Sequence, residues 1–203
     1  MPPREFETLE TLETLEALRN EHGDARVLRV IVAGATTKSG SATVAEMLAE
    51  SLTMAGLGND SVGIVHAGAT LDGLHAVSAG AWKFVVVTGG SAATLTAAYA
   101  VIKAIEARNA GARIELLVTG LEEARAHAAY LRVRTATERF LGRDLIFAGA
   151  ITEVDTAPVD GSDDAGSTRR RATRASRAAR MWAARLLAEC SEGAWPDAAH
   201  SMN

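Results

Sequence analysis

The sequence predicts an α/β fold: a mostly parallel, five-stranded sheet flanked by helices in three layers, like the P-loop NTPase and Rossmann-like architectures. Three observations carry this. Short, β-branched apolar runs recur five times between residues 27 and 151. Helix-period segments lie in three of the four gaps between them. The runs are near-continuously apolar, as strands covered on both faces are.

The first run, VLRVIVAGA (27–35), includes Gly34 and leads into a helix, TVAEMLAESLTMAG (43–56). That helix puts Val44, Met47, Leu48 and Leu52 on one side and stops at Gly56. SVGIVHAG (61–68) is the second strand and KFVVVTGG (83–90) the third. Residues 94–108 form a helix with Leu95, Ala98, Tyr99, Ile102 and Ile105 on one face. ARIELLVTG (112–120) is the fourth strand. A long helix over 122–142 follows, with Ala126, Ala129, Tyr130, Val133, Thr137, Phe140 and Leu141 inward. DLIFAGAI (144–151) is the fifth strand. The crossovers are expected to be right-handed.

The ends of the chain carry opposite charge. Residues 1–24 hold seven acidic side chains against two arginines. Within them, TLETLETLEALRN (7–19) repeats Leu9, Leu12, Leu15 and Leu18 every three residues. This is an amphipathic helix that either covers the domain's own surface or docks a partner. Residues 25–152 are the α/β domain, and 153–168, acidic and rich in Gly, Pro and Ser, read as a linker. Residues 169–190 form a basic helix with seven arginines between 169 and 185, and a tail runs from 191 to 203.

Composition narrows the class. Of 203 residues, 48% are hydrophobic and 23% charged, enough to build a core. A net charge of −4 argues against a generally basic nucleic-acid binder. The single Cys190 excludes an intramolecular disulfide and a thiolate metal cage, which fits a reducing cytoplasm. No apolar run approaches the ~20 residues of a membrane span.

In an open parallel sheet, ligands bind beyond the carboxyl ends of the strands. There the first strand runs into ATTKSGSA (35–42) just before a helix, where a phosphate-binding loop would lie. The candidate contacts are Lys38, Ser39, Gly40, Ser41, Ala42 and Thr43. GxxxxGK[ST] is absent: Gly40 takes the second glycine place, but Ser41 stands where the lysine belongs and Ala42 where the magnesium hydroxyl belongs. Lys38 is the one lysine left to reach a phosphate; otherwise the segment is a structural turn. The second strand carries His66 where a magnesium-holding carboxylate would sit, and neutral imidazole is a poor ligand for that hard ion. A structural or solvent-facing role for His66 stands beside that of a catalytic base. Asp72 is a weaker substitute carboxylate. The histidines show no metal-ligand spacing, and no Ser/His/Asp triad is assigned.

TVAEMLAESL, HAGATLDGL and above all VVVTGGSAATLTAAYAVIKAI resemble the MinD/ParA group of deviant P-loop ATPases, and within it the flagellar-number regulators FlhG/FleN. Thr88, Thr94, Leu95, Thr96, Ala98, Tyr99, Ile102 and Lys103 match that family's T-T-P-E-P-x-S-L-T-D-A-Y-x-x-I-K pattern without a gap. Phe140, Leu141, Gly142, Leu145, Gly149 and Ile151 follow its later pattern, and the resemblance spans about residues 27–190. The departures are concentrated in the nucleotide site. The family's signature lysine falls on Thr36, its phosphate lysine on Ser41, its first magnesium threonine on Ala42, its later aspartate on His66 and its base-recognising asparagine on Thr119.

The resemblance therefore implies a non-catalytic regulator that acts through protein contacts in flagellar biosynthesis or placement. No cofactor is expected, and ATP would bind weakly at most. The implied partner is an FlhF-type GTPase or a flagellar regulator, met through Leu9, Leu12, Leu15 and Leu18. Residues 169–187 pack on the sheet or touch the inner membrane face; contact with nucleic acid is the least favoured reading. Two other functions stay open: an ATP-binding ATPase using Lys38 in a non-standard loop, and an unrelated α/β nucleotide- or metabolite-binding enzyme.

Overall fold

The computed structural model describes residues 27–57, 61–78, 80–152 and 177–191. Five strands, β1 (Leu28–Gly34), β2 (Val62–Gly68), β3 (Ala81–Thr88), β4 (Arg113–Thr119) and β5 (Ile146–Ile151), pair in the order β2-β1-β3-β4-β5. Every pairing is parallel. Among the described residues five helices flank them: α1 (Ser41–Met54), α2 (Leu71–Val77), α3 (Ala92–Arg108), α4 (Glu123–Leu141) and α5 (Arg177–Ser191). The fold class is the one expected, with the sheet wholly parallel.

Alternation along the strands builds the layers. Ile31, Phe84, Val86, Leu116 and Val118 point into one buried cluster with α2, α3 and α4. Val30, Val32, Val85, Val87 and Leu117 point into a second with α1 and α5. From β1 the chain moves out to β2, then crosses back to β3 and continues outward, so strand order reverses between β1 and β3. The crevice at the carboxyl ends of these two strands is the topological switch point, where open α/β sheets bind ligands.

Local chemistry sets the helix ends. Ser91 Oγ accepts a hydrogen bond from Thr94 N at 3.2 Å and caps α3. Gly142, with φ 64°, closes α4 by donating to the Glu138 carbonyl. Beneath α4, the Tyr130 hydroxyl donates to the Leu145 carbonyl at 2.6 Å. Burial raises the Tyr130 pKa above its ordinary value, so the hydroxyl keeps this proton at neutral pH.

Three expectations are corrected. A helix, α2, fills the gap between the second and third strands; Thr70 Oγ1 caps it by accepting from Gly73 N at 3.1 Å. Phe140 is 67% exposed rather than inward. It lies in the last turn of α4, where the next residue, Leu141, packs on the core cluster in its place, and it rests beneath the Arg139 guanidinium 5.2 Å from its ring centre. Tyr99 and Leu141 are only half-buried, and Val101 joins the buried face of α3. The other expected inward residues of α1, α3 and α4 are buried. Residues 1–24 with their leucine stripe, the linker at 153–168, residues 169–176 and the tail from 192 lie outside the described residues.

Over the described part of the basic helix, packing on the sheet is what is found. Ala179, Trp182, Ala183 and Leu186 of α5 are buried in the α1-side cluster. Under α5 runs a chain of charges at the amino-terminal edge of the sheet. Lys83 is 1% exposed and Glu115 0%. The Lys83 ammonium donates to Glu189 Oε2 at 2.7 Å. It also lies 2.7 Å from Glu115 Oε1, a charge contact outside good hydrogen-bond alignment. Glu115 Oε2 accepts from Trp182 Nε1 at 2.7 Å and from Arg185 at 2.8 Å. Arg113 adds a bond to Glu189 at 3.1 Å. This edge is opposite the switch point, so the network fastens α5 rather than serving a crevice ligand.

Candidate functional site

Four segments meet at the carboxyl ends of the strands: the β1–α1 loop, the end of β2, the β3–α3 turn and the β4–α4 turn. The β1–α1 loop is folded in on itself. A Cβ added to Gly34 would lie 2.6 Å from Ser39 Oγ and 2.7 Å from Ser41 Oγ. Both hydroxyls therefore sit against the bare Cα of the last β1 residue, inside the loop. Ser39 is 4% exposed and Ser41 7%. Ser39 Oγ is buried with no hydrogen-bond partner among the described residues. Gly34→Ala should destabilise the fold by about 1–3 kcal/mol, because the new Cβ would displace both hydroxyls and press on the Thr36 carbonyl oxygen 3.1 Å away. Urea denaturation reads this, and a change below about 0.5 kcal/mol would mean that the loop yields.

Neighbouring strands hold the loop in place. Ala35 N donates to the Val87 carbonyl at 2.8 Å, carrying the β1–β3 pairing one residue further. Thr119 at the end of β4 directs its hydroxyl to the Ser39 carbonyl at 3.1 Å and the Thr88 carbonyl at 3.3 Å, one proton shared between two acceptors. The position that the resemblance aligns with a base-recognising asparagine thus braces the loop. Gly90 belongs to the same wall: a Cβ there would collide with Leu121 Cδ1.

Gly40, with φ 73°, turns the chain into α1 without a side-chain cap. The first-turn N–H groups of α1 have no intrahelical partners, and the helix dipole adds partial positive charge there. Ser41 is the first residue of this helix, and its Oγ lies 2.9 Å from His66 Nε2 on β2. His66 itself is exposed, and so are Gly40, Ala42 and Thr43. The serine–histidine pair therefore lies just under the surface.

The structure brings Ser39, Gly40, Ser41 and His66 together. It does not bring Lys38 into the loop interior: Lys38 is exposed on the turn, as is Thr37. Thr36, which the resemblance aligns with the signature lysine, is half-buried, and its carbonyl accepts from Ser39 N at 3.0 Å. Asp72 is exposed in the first turn of α2. Among the described residues, no group of three or more His, Cys, Asp or Glu side chains could hold a metal ion. Cys190 lies on α5, away from the crevice; burial, then the charge of Glu189, raises its pKa, which disfavours the thiolate. Among the described residues, no helix is long and apolar enough to cross a membrane.

The Ser41–His66 pair is the feature that sequence reasoning missed. Its members are 25 residues apart, and only the adjacency of β1 and β2 joins them. A serine at a helix start and a histidine near the end of the next strand were the available signal. No protein-family model matches the chain, and no curated protein matches it.

Proposed function

We propose that the chain is a regulator of the FlhG/MinD type that works through protein contacts and has lost ATP chemistry. The observation that carries this reading is the filling of the β1–α1 loop. Where a phosphate lysine would extend, Ser41 turns to His66, and Ser39 occupies the interior beside it. A triphosphate in such a loop needs backbone N–H groups around an open hollow, a lysine and a magnesium ligand. Here serine and alanine stand at the last two positions, and the one nearby lysine is on the outside.

Phosphoryl transfer depends on cations that stabilise charge in the transition state. Losing one such contact typically lowers the rate about 10²–10³-fold, so losing several leaves no useful turnover. The parallel sheet and the buried residues of α3, among them Leu95, Ala98 and Ile102 from the resembling segment, support a retained scaffold. The proposed partners are an FlhF-type GTPase or another flagellar regulator, with residues 1–24 as the contact and flagellar biosynthesis or placement as the setting.

Titration calorimetry with ATP and magnesium tests the reading. No saturable heat should appear up to about 1 mM ligand, an affinity no better than ~4 kcal/mol. Micromolar binding accompanied by phosphate release would overturn it. Lys38→Ala discriminates further: if the variant abolishes such binding, the chain is an ATPase with a displaced lysine.

A further inference from the structure

We propose that the outer edge of β5 takes an extended, acidic segment of a partner protein as a sixth strand. The idea stands apart from the loss of ATP chemistry, because this edge is the margin of the sheet and not its switch point.

The strand and a hollow beside it point the same way. Among the described residues β5 ends the sheet order, and its sequence, IFAGAI, has neither the charge nor the proline that blunts many edge strands. Against that edge lies a hollow of about 360 Å³. Phe147 and Ala150, which pack on the α4 side of the sheet, line it together with Ala148, which packs on the α5 side. A hollow bordered from both faces of a strand lies in the plane of the sheet, where the next strand would pair. Ala148, Gly149 and Ala150 are too small to fill it. Strand addition of this kind draws affinity from the backbone and specificity from alternate side chains.

Charge and spacing define the occupant. Helix α5 runs opposite to β5: Ala178 packs beside Gly149, and Arg185 donates to the Phe147 carbonyl at 3.4 Å. Arg177 and Arg185 therefore stand at the two ends of the hollow, with exposed Met181 between them. Arg177 is exposed and has no ion pair among the described residues. Arg185 also donates to Glu115, yet its Nε is buried without a partner, a donor that a carboxylate would satisfy. Behind it the network sets three cations, Lys83, Arg113 and Arg185, against two carboxylates, Glu115 and Glu189, so positive charge is left over. Residues eight apart on a helix are ~12 Å apart along its axis, and residues four apart in an extended chain are ~13 Å apart. The matching segment has carboxylates four residues apart and an apolar side chain midway, all three turned to α5. The side chains between them turn to the α4 side, where Glu123 lines the hollow and opposes an acid. A second copy pairing β5 with β5 would bring two sets of these arginines together, so the occupant is a different, acidic chain.

The test is fluorescence anisotropy of the labelled peptide TTETLTETT titrated with the full chain. Saturable binding tighter than about 100 μM is expected. Changing both glutamates to glutamine should weaken it at least ~10-fold, and so should Arg177→Gln on the protein, with the thermal midpoint unchanged. The peptide TTETLETTT, with its acids three apart, should lose a similar factor of about 10, because one carboxylate then faces Glu123. Backbone methylation separates strand pairing from charge attraction. Of the leucine N–H and the N–H of the threonine after it, only one can face β5, so methylating that one should cost at least ~10-fold and methylating the other should not. No binding by the full chain, equal losses for the two methylated peptides, or parental affinity in Arg177→Gln would overturn the proposal. A dimer seen in sedimentation that excludes the peptide would put a second copy at the edge and overturn it too. None of these results depends on whether ATP binds.

Discussion

Glu115→Leu will destabilise the protein by about 3–5 kcal/mol, the cost of breaking a buried ion pair from one side. The substitution leaves Trp182 Nε1 without its acceptor and strips Lys83 and Arg185 of the carboxylate between them. Lys83 keeps Glu189 as a partner, which holds the loss within that range. Thermal unfolding should shift down by roughly 6–20 °C for a domain of this size. Lys83→Met tested with Glu115→Leu in a double-mutant cycle should lose less than the sum of the singles, because each charge is costly chiefly when the other is gone. A single-variant loss below about 1 kcal/mol would show that water reaches the pair.

Trp182→Ala is expected to cost about 3–5 kcal/mol as well, by opening a cavity under α5 and removing the indole donor together. Trp182 is 1% exposed and is the largest fully buried side chain among the described residues. Trp182→Phe keeps most of the packing and loses the bond to Glu115, so about 1–3 kcal/mol should go. Chemical denaturation separates the two. In limited proteolysis, α5 should be cut first in the alanine variant, since docking rather than helix propensity holds it. A Trp182→Ala chain as stable as its parent would mean that the helix does not sit on the sheet in solution.

These effects also mark where the sequence was readable. All five strands were, because each is a compact β-branched run and the parallel sheet needs both faces apolar. The inward residues of α1 and most of those of α3 and α4 followed from the helical period. Phe140 did not, because periodicity names a face and not its margin, and at this margin Leu141 packs on the cluster while Phe140 turns outward. Helix α2 was missed because it has only seven residues and Gly73 in its interior. Gly73 is there for space: a Cβ would collide with the Ala67 carbonyl. The loop at 35–40 was placed at the right end of the right strand, but its interior was not legible. Which way Ser39 and Ser41 point depends on Gly34 and on His66, a residue of another strand. Lys83 and Glu115 gave no local signal either, since their partners on α5 lie 67 to 106 residues away.

That separation bears on how the molecule is made. A ribosome delivers Lys83 and Glu115 long before Trp182, Arg185 and Glu189 exist. Until α5 emerges, the nascent sheet holds an uncovered ionic pair beside Val85, Val87 and Leu117, a surface on which a holdase chaperone or a stray strand could settle. Closing this face of the sheet therefore waits on the synthesis of α5. A chain halted just before residue 177 should be a client of quality control and not a smaller working version of the protein.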